Sequence, residues 1–200
     1  MKEAILEKAT EMFLNIGFKS VTMDDISTEL GISKKTIYSH FKNKTMLVEQ
    51  STACVFKDIS AGIMAIKELK KNPIEELFEI KNFIIEALKN NQNSPQYQLQ
   101  KFFPKIHFKL KSKQLELALT CITDNLQRGI LLGVYRKDID IGFVSRIYFV
   151  GVTGIKDLEI FPSSFIDQTS LDTFFLQYHI TAIATKNGLE ILKNTLIKLK

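Results

Sequence analysis

Thr22 to Lys44, TMDDISTELGISKKTIYSHFKNK, describes two short helices joined by a tight glycine turn. Thr22 carries the hydroxyl of an N-cap and Asp25 stands three residues on, in the capping-box position. Asp24 and Asp25 also complement the positive end of a helix that begins near Met23. Ile26 and Leu30, four apart, share its apolar face, Gly31 supplies the left-handed residue that closes it, and Ile32 tucks back as an apolar plug. Ser33 then caps a second helix in which Ile37 and Phe41 face inward, leaving Lys34, Lys35, Thr36, Tyr38 and His40 around the remainder. No carboxylate occurs from Gly31 through Val48, although Lys34, Lys35, Lys42 and Lys44 fall there and residues 1–50 balance to zero charge. Positive charge placed on one short helix suits contact with DNA. Two amphipathic helices with a solvated lysine pair also occur in helical proteins that never meet DNA, and the pattern alone leaves both readings open.

Working outward, a first helix is expected over Lys2 to Gly17, where Ile5, Ala9, Met12, Phe13 and Ile16 recur at helical spacing. With that helix, the runs Gly17-Phe18-Lys19-Ser20-Val21-Thr22-Met23-Asp24-Asp25-Ile26 and Gly31-Ile32-Ser33-Lys34-Lys35-Thr36-Ile37-Tyr38-Ser39-His40-Phe41-Lys42-Asn43-Lys44 resemble the DNA-binding domain of the TetR family of bacterial transcriptional regulators. Lys35 departs from the small residue that the family often places there. In a helix-turn-helix the second helix sets its N-terminal side chains against base edges, which makes Lys34, Lys35 and Thr36 the groove-facing candidates. Lysine donates to guanine N7 and O6, and threonine can serve a base, a thymine methyl or a phosphate. Thr22, Tyr38, His40 and Lys44 resemble the family's phosphate-contacting positions, and with Ser33 they complete the expected DNA-binding set. Ile26, Leu30, Ile32, Ile37 and Phe41 are read as core.

At 200 residues with 45% apolar content, the chain can bury a substantial core. Its net charge of +5 favours a polyanionic partner without choosing among nucleic acid, membrane surface and acidic protein. Cys54 and Cys121 form no CxxC and lie near no histidine at metal-ligand spacing, so burial in a reducing cytoplasm is expected, with no metal and no cofactor. Glu3, Glu7 and Glu11 exclude a secretory apolar core, and no run is long enough to span a bilayer. Ile141 to Ile155, the most apolar stretch, is interrupted by Arg146 and reads as a buried helix.

Apolar spacing of three and four runs through nearly the whole chain, so an all-α fold is expected. Helices are expected from Lys44 to about Ile66, from Pro73 to about Asn90, within Pro95 to Pro104 around Phe102 and Phe103, and from about Ser112 to Leu132. Further helices are expected from Ile141 to about Leu158, from Leu171 to Lys186, and beyond Gly188, with the clearest loop at Asn90 to Pro95. The division expected is a three-helix DNA-binding domain over 1–48 and a larger helical domain over 49–200, which the resemblance implies binds an effector and dimerises. A helix from Lys44 across that boundary would couple the two mechanically.

Aromatic and polarisable residues of the middle region, Phe102, Phe103, His107, Cys121, Tyr135 and Tyr148, are the candidates for lining a small-molecule pocket. Val150, Gly151 and Gly154, with Phe174 and Tyr178, are the candidates for a dimer face. No phosphate loop, paired-histidine spacing, nucleophile elbow or carboxylate pair marks an enzyme. The function expected is a homodimeric, effector-released repressor of a pseudo-palindromic operator on double-stranded DNA. The alternative is a helical module that binds acidic protein or anionic lipid through its lysine-rich helix.

Overall fold

The computed structural model describes residues 1–88 and 95–198, which form ten α-helices and no strand. The expected loop over Asn90 to Pro95 lies, up to residue 94, outside the described residues. Two compact units result: one from Met1–Ala61 and the described part of Leu88–Lys113, the other from Gly62–Ala87 and the described part of Gln114–Lys200. The first unit therefore takes in a segment near residue 100 that a cut at 48/49 leaves with the rest.

In the first unit, α1 (Lys2–Asn15), α2 (Met23–Leu30) and α3 (Lys34–His40) precede the start of α4 (Lys44–Glu68). α6 (Pro95–Phe102) and the first turns of α7 (Pro104–Leu131) complete it. The helical spacing of α1 puts Ile5, Ala9, Met12 and Phe13 on one buried face, where they meet Phe18, Val21, Ile26, Ile37, Phe41, Leu47, Val48, Leu99 and Ile106. Burying each large side chain contributes about 1.5–3 kcal/mol, so this core, rather than the propensity of such short helices, keeps α2 and α3 folded.

Phe103 alone separates α6 from α7, and α7 begins at Pro104, well before Ser112. Proline has no N–H to lose at a first helical position and its φ already suits a helix, so Pro104 opens α7 rather than closing the segment before it.

The second unit holds the end of α4, α5 (Pro73–Ala87), the rest of α7, α8 (Ile141–Gly154), α9 (Gln168–Ile183) and α10 (Lys186–Lys198). Its core joins Ile74, Leu77 and Phe78 of α5 to Ile122 and Leu126 of α7, Val144 and Tyr148 of α8, Leu176, Ile180 and Ile183 of α9, and Leu192 of α10. α8 stops at Gly154, short of Leu158, and Lys156 just beyond it pairs with Asp172 of α9 at 2.6 Å. Gly188 lies inside α10: a Cβ there would stand 2.2 Å from the Val134 carbonyl, so the glycine permits close approach where the sequence suggested a break.

Gly31 sits at φ +62° and ψ +31° with nothing within 4 Å of where a Cβ would stand. Backbone conformation alone selects glycine there. Gly31→Ala is expected to cost ~1–2 kcal/mol and Gly31→Asn less, since asparagine tolerates the left-handed region. Equal midpoints for both variants in urea unfolding would show that the turn relaxes instead.

Candidate nucleic-acid interface

The reading segment is built from caps. Thr22 Oγ1 accepts the Asp25 N–H at 3.2 Å, and the Asp25 carboxylate accepts both the Thr22 N–H and its hydroxyl at 2.8 Å. These bonds hold the Asp25 carboxyl below the usual carboxylate range. At the far end of α2, the Gly31 N–H donates to Thr28 O and the Ile32 N–H to Ser27 O at 3.0 Å, the paired closure of a Schellman turn. Ser33 Oγ then accepts the Thr36 N–H at 3.1 Å and starts α3. Both helix ends at the turn are satisfied by local groups, so the crossing of α2 and α3 is fixed by residues close together in sequence.

Behind α3, Ile37 and Phe41 are fully buried. In front, Lys34, Lys35, Tyr38 and His40 are exposed and Thr36 is half-buried. Lys34 forms an ion pair with Asp24 of α2, whereas Lys35 has no acidic partner among the described residues. Thr22 and Ser33 spend their hydroxyls on capping, and Ser33 Oγ also lies 2.9 Å from Thr36 Oγ1. Lys44 opens α4, half-buried, and donates to the Lys19 carbonyl at 2.9 Å. Burial lowers its pKa below the ordinary lysine value, opposed by the Asp25 carboxylate.

The remaining candidates separate by unit. Phe102, Phe103 and His107 belong to the first, where Phe103 packs edge-on against Phe18 at 6.5 Å and Phe102 lies exposed. The His107 imidazole is pushed below its usual range by burial and by Lys111. Cys121, Tyr135 and Tyr148 belong to the second. Tyr135 is fully buried, its ring fills the space left by Gly129, and its hydroxyl donates to Asn125 Oδ1 at 3.1 Å. Tyr148 meets Phe175 at 5.8 Å and His179 at 5.2 Å.

On α8 and α9, Val150, Phe174 and Tyr178 are exposed, and Phe143 and Ile147 extend the Val150 stripe along α8. Gly151 instead faces Phe175 of its own unit, whose ring lies 2.0 Å from where a Cβ would be, while Gly154 has open space. Phe174, Gln177, Tyr178, Thr181 and Ala182 line a shallow cleft on α9. The sequence reading missed His179, Asn125 and Glu76, all buried polar residues. Each sits at a plain helical position, and only its contacts with distant helices mark it. Among the described residues, no group of three or more His, Cys, Asp or Glu is gathered as for a metal, and no helix is long and apolar enough to cross a membrane.

Residues 5–50 match the family model for bacterial regulatory proteins of the tetR family. Over 79 residues, 40% of this chain, the sequence is 32% identical to the biofilm operon icaADBC HTH-type negative transcriptional regulator IcaR of Staphylococcus aureus. That match spans 42% of the relative's length. It is 24% identical over 148 residues, 72% of each chain, to the HTH-type transcriptional repressor KstR2 of Mycolicibacterium smegmatis. A TetR-family regulator from Agrobacterium tumefaciens shares the fold, with a TM-score of 0.72 at 19% identity over 92% of this chain and 97% of that one. The capped helix pair lies within the residues that match the tetR family model, and the likeness of fold to a TetR-family regulator extends over nearly all of the chain.

Proposed function

We propose that this protein is a DNA-binding transcriptional repressor that occupies a pseudo-palindromic operator as a homodimer and leaves it when a small-molecule effector binds. The observation that carries the reading is α3 itself: a short helix fixed by caps and core on one side, presenting Lys35, Tyr38 and His40 to solvent on the other. Lys35, free of any acidic partner among the described residues, contacts base edges together with Lys34 and Thr36. Tyr38, His40 and Lys44 meet phosphates. Repression is supported by the names of the relatives, a negative regulator and a repressor.

The exposed apolar stripe Phe143, Ile147 and Val150 of α8, beside Phe174 and Tyr178 of α9, serves as the dimer face. Two heads then reach half-sites one helical turn, ~34–36 Å, or more apart. An apolar or amphipathic effector held near Cys121 and Tyr148 releases the operator if it binds better to the conformation whose heads are wrongly spaced. A ligand with equal affinity for both conformations would shift nothing. The reading requires no catalytic step, no cofactor and no membrane.

Selection of binding sites from random duplex DNA tests it, run with the natural protein and with a Lys35→Ala, Tyr38→Ala double variant. Enrichment of an inverted repeat that the double variant loses is the expected result. No enrichment by the natural protein would reject the repressor reading in favour of an interaction module for acidic protein or lipid. Replacing Lys35 alone should change preference at one or two base positions by ~1–3 kcal/mol.

A further inference from the structure

The net charge of +5 has a definite address. Residues 1–61 carry eight lysines against eight carboxylates, whereas 95–113 carry Lys101, Lys105, Lys109, Lys111 and Lys113 and no carboxylate. The excess charge of the first unit thus sits on α6 and the first turns of α7, outside the helix-turn-helix. All five lysines are exposed, and only Lys109 has an acidic partner among the described residues, Glu49 at 2.6 Å. The downward push of Lys111 on the His107 imidazole reports the same uncompensated potential.

Part of this charge is joined to the reading segment. Lys19 and Lys101 hold their ammonium groups 4.9 and 5.7 Å from the centroid of one exposed ring, Phe102. Lys101 also lies 3.3 Å from the Tyr97 hydroxyl. One turn back on α6, Gln98 Oε1 accepts the Lys19 N–H at 3.2 Å, and the Gln98 amide occupies the space that a Cβ on Gly17 would need. The Lys19 carbonyl in turn accepts from Lys44. Lys44, Lys19 and Lys101 therefore form a row, linked contact by contact, from the start of α4 to the end of α6. Like charges gathered around one ring, with no carboxylate paired to either among the described residues, repel each other unless an anion lies across them.

We propose that Lys19 and Lys101 form a second phosphate-binding strip that grips the backbone of the same duplex beside the groove entered by α3. The inference rests on the DNA-binding reading. Continuity of the row with Lys44 selects the duplex over other polyanions. The strip adds affinity without sequence information, because phosphates are alike at every base pair.

The test uses the full chain and a 30-base-pair mixed-sequence duplex, with affinity measured across a series of salt concentrations. A Lys19→Gln, Lys101→Gln variant is compared with Lys186→Gln, Lys193→Gln, which removes the same charge from exposed positions of α10. The expected slope of log K against log salt is shallower by about 1.8 per protomer for the first variant, at about 0.9 per phosphate released, and unchanged for the second. Lys19→Arg, Lys101→Arg keeps the natural slope and guards against a folding artefact. Matching slopes for both glutamine variants and the natural protein would overturn the strip while leaving the DNA reading intact. Loss of binding to vesicles containing phosphatidylserine, with the duplex slope unchanged, would overturn it in favour of a membrane surface. A natural protein whose duplex binding shows no salt dependence would remove the DNA reading itself.

Discussion

Replacing Arg128 by alanine is expected to lower the stability of the second unit by ~3–5 kcal/mol, the cost of stripping the partner from a buried charge. Glu76 is 1% exposed. One of its oxygens pairs with the Arg128 guanidinium and the other accepts from Asn125 Nδ2 at 2.8 Å. Asn125 also donates to the Pro73 carbonyl at 2.9 Å and accepts from the Tyr135 hydroxyl, so its polar atoms are spent. Without the guanidinium, a carboxylate sealed from water keeps a single amide donor. Urea unfolding of Arg128→Ala against the natural protein measures the loss. A Glu76→Gln, Arg128→Met variant should cost less, because it removes the charge together with its partner. A loss below ~1 kcal/mol for Arg128→Ala would mean that water reaches Glu76 and that the network does not hold the unit together.

The second large effect expected is a loss of stability in mild acid that belongs to His179. Burial against Tyr148 and Phe175 pushes its imidazole down to about 4 from the ordinary 6.5. The unfolded chain therefore binds a proton that the folded chain refuses between those values. Stability is full above pH 6.5 and falls as the pH drops toward 4, by about 3 kcal/mol over the window. His179→Leu removes the titration, so its stability should fall less steeply with acid than that of the natural protein. The exposed capping carboxylates Asp25 and Asp167, also held below their ordinary range, weaken both proteins alike at lower pH. Parallel curves from pH 7 to 4.5 would show that His179 stays hydrated in the folded state.

The two predictions concern residues that no local pattern marks. Glu76 reads in sequence as an ordinary acidic residue of a helix first turn, and its partner Arg128 lies 52 residues away. His179 reads as one polar position among aromatics of α9, and only the packing of Tyr148 and Phe175 around it makes it a buried base.

By contrast, the helix pair and its turn were legible residue by residue. The capping box of Thr22 and Asp25, the left-handed Gly31 and the Ser33 cap all act within a few positions of chain, so their geometry follows from short-range hydrogen bonds and sterics. The same holds for the inward faces of Ile26, Ile37 and Phe41, which follow from helical period alone.

Sequence by itself determined an all-α chain with an exposed basic helix on a glycine turn, because periodicity, caps and positive φ are local properties. Tertiary structure alone decided the rest: that Pro104 opens a helix, that Gly188 sits inside one, that Gly151 makes room for Phe175 of its own unit, and that Lys19 meets Lys101 across the Phe102 ring. Each of these depends on which distant surface comes to lie against the residue, and a single chain's pattern of residue types does not carry that information.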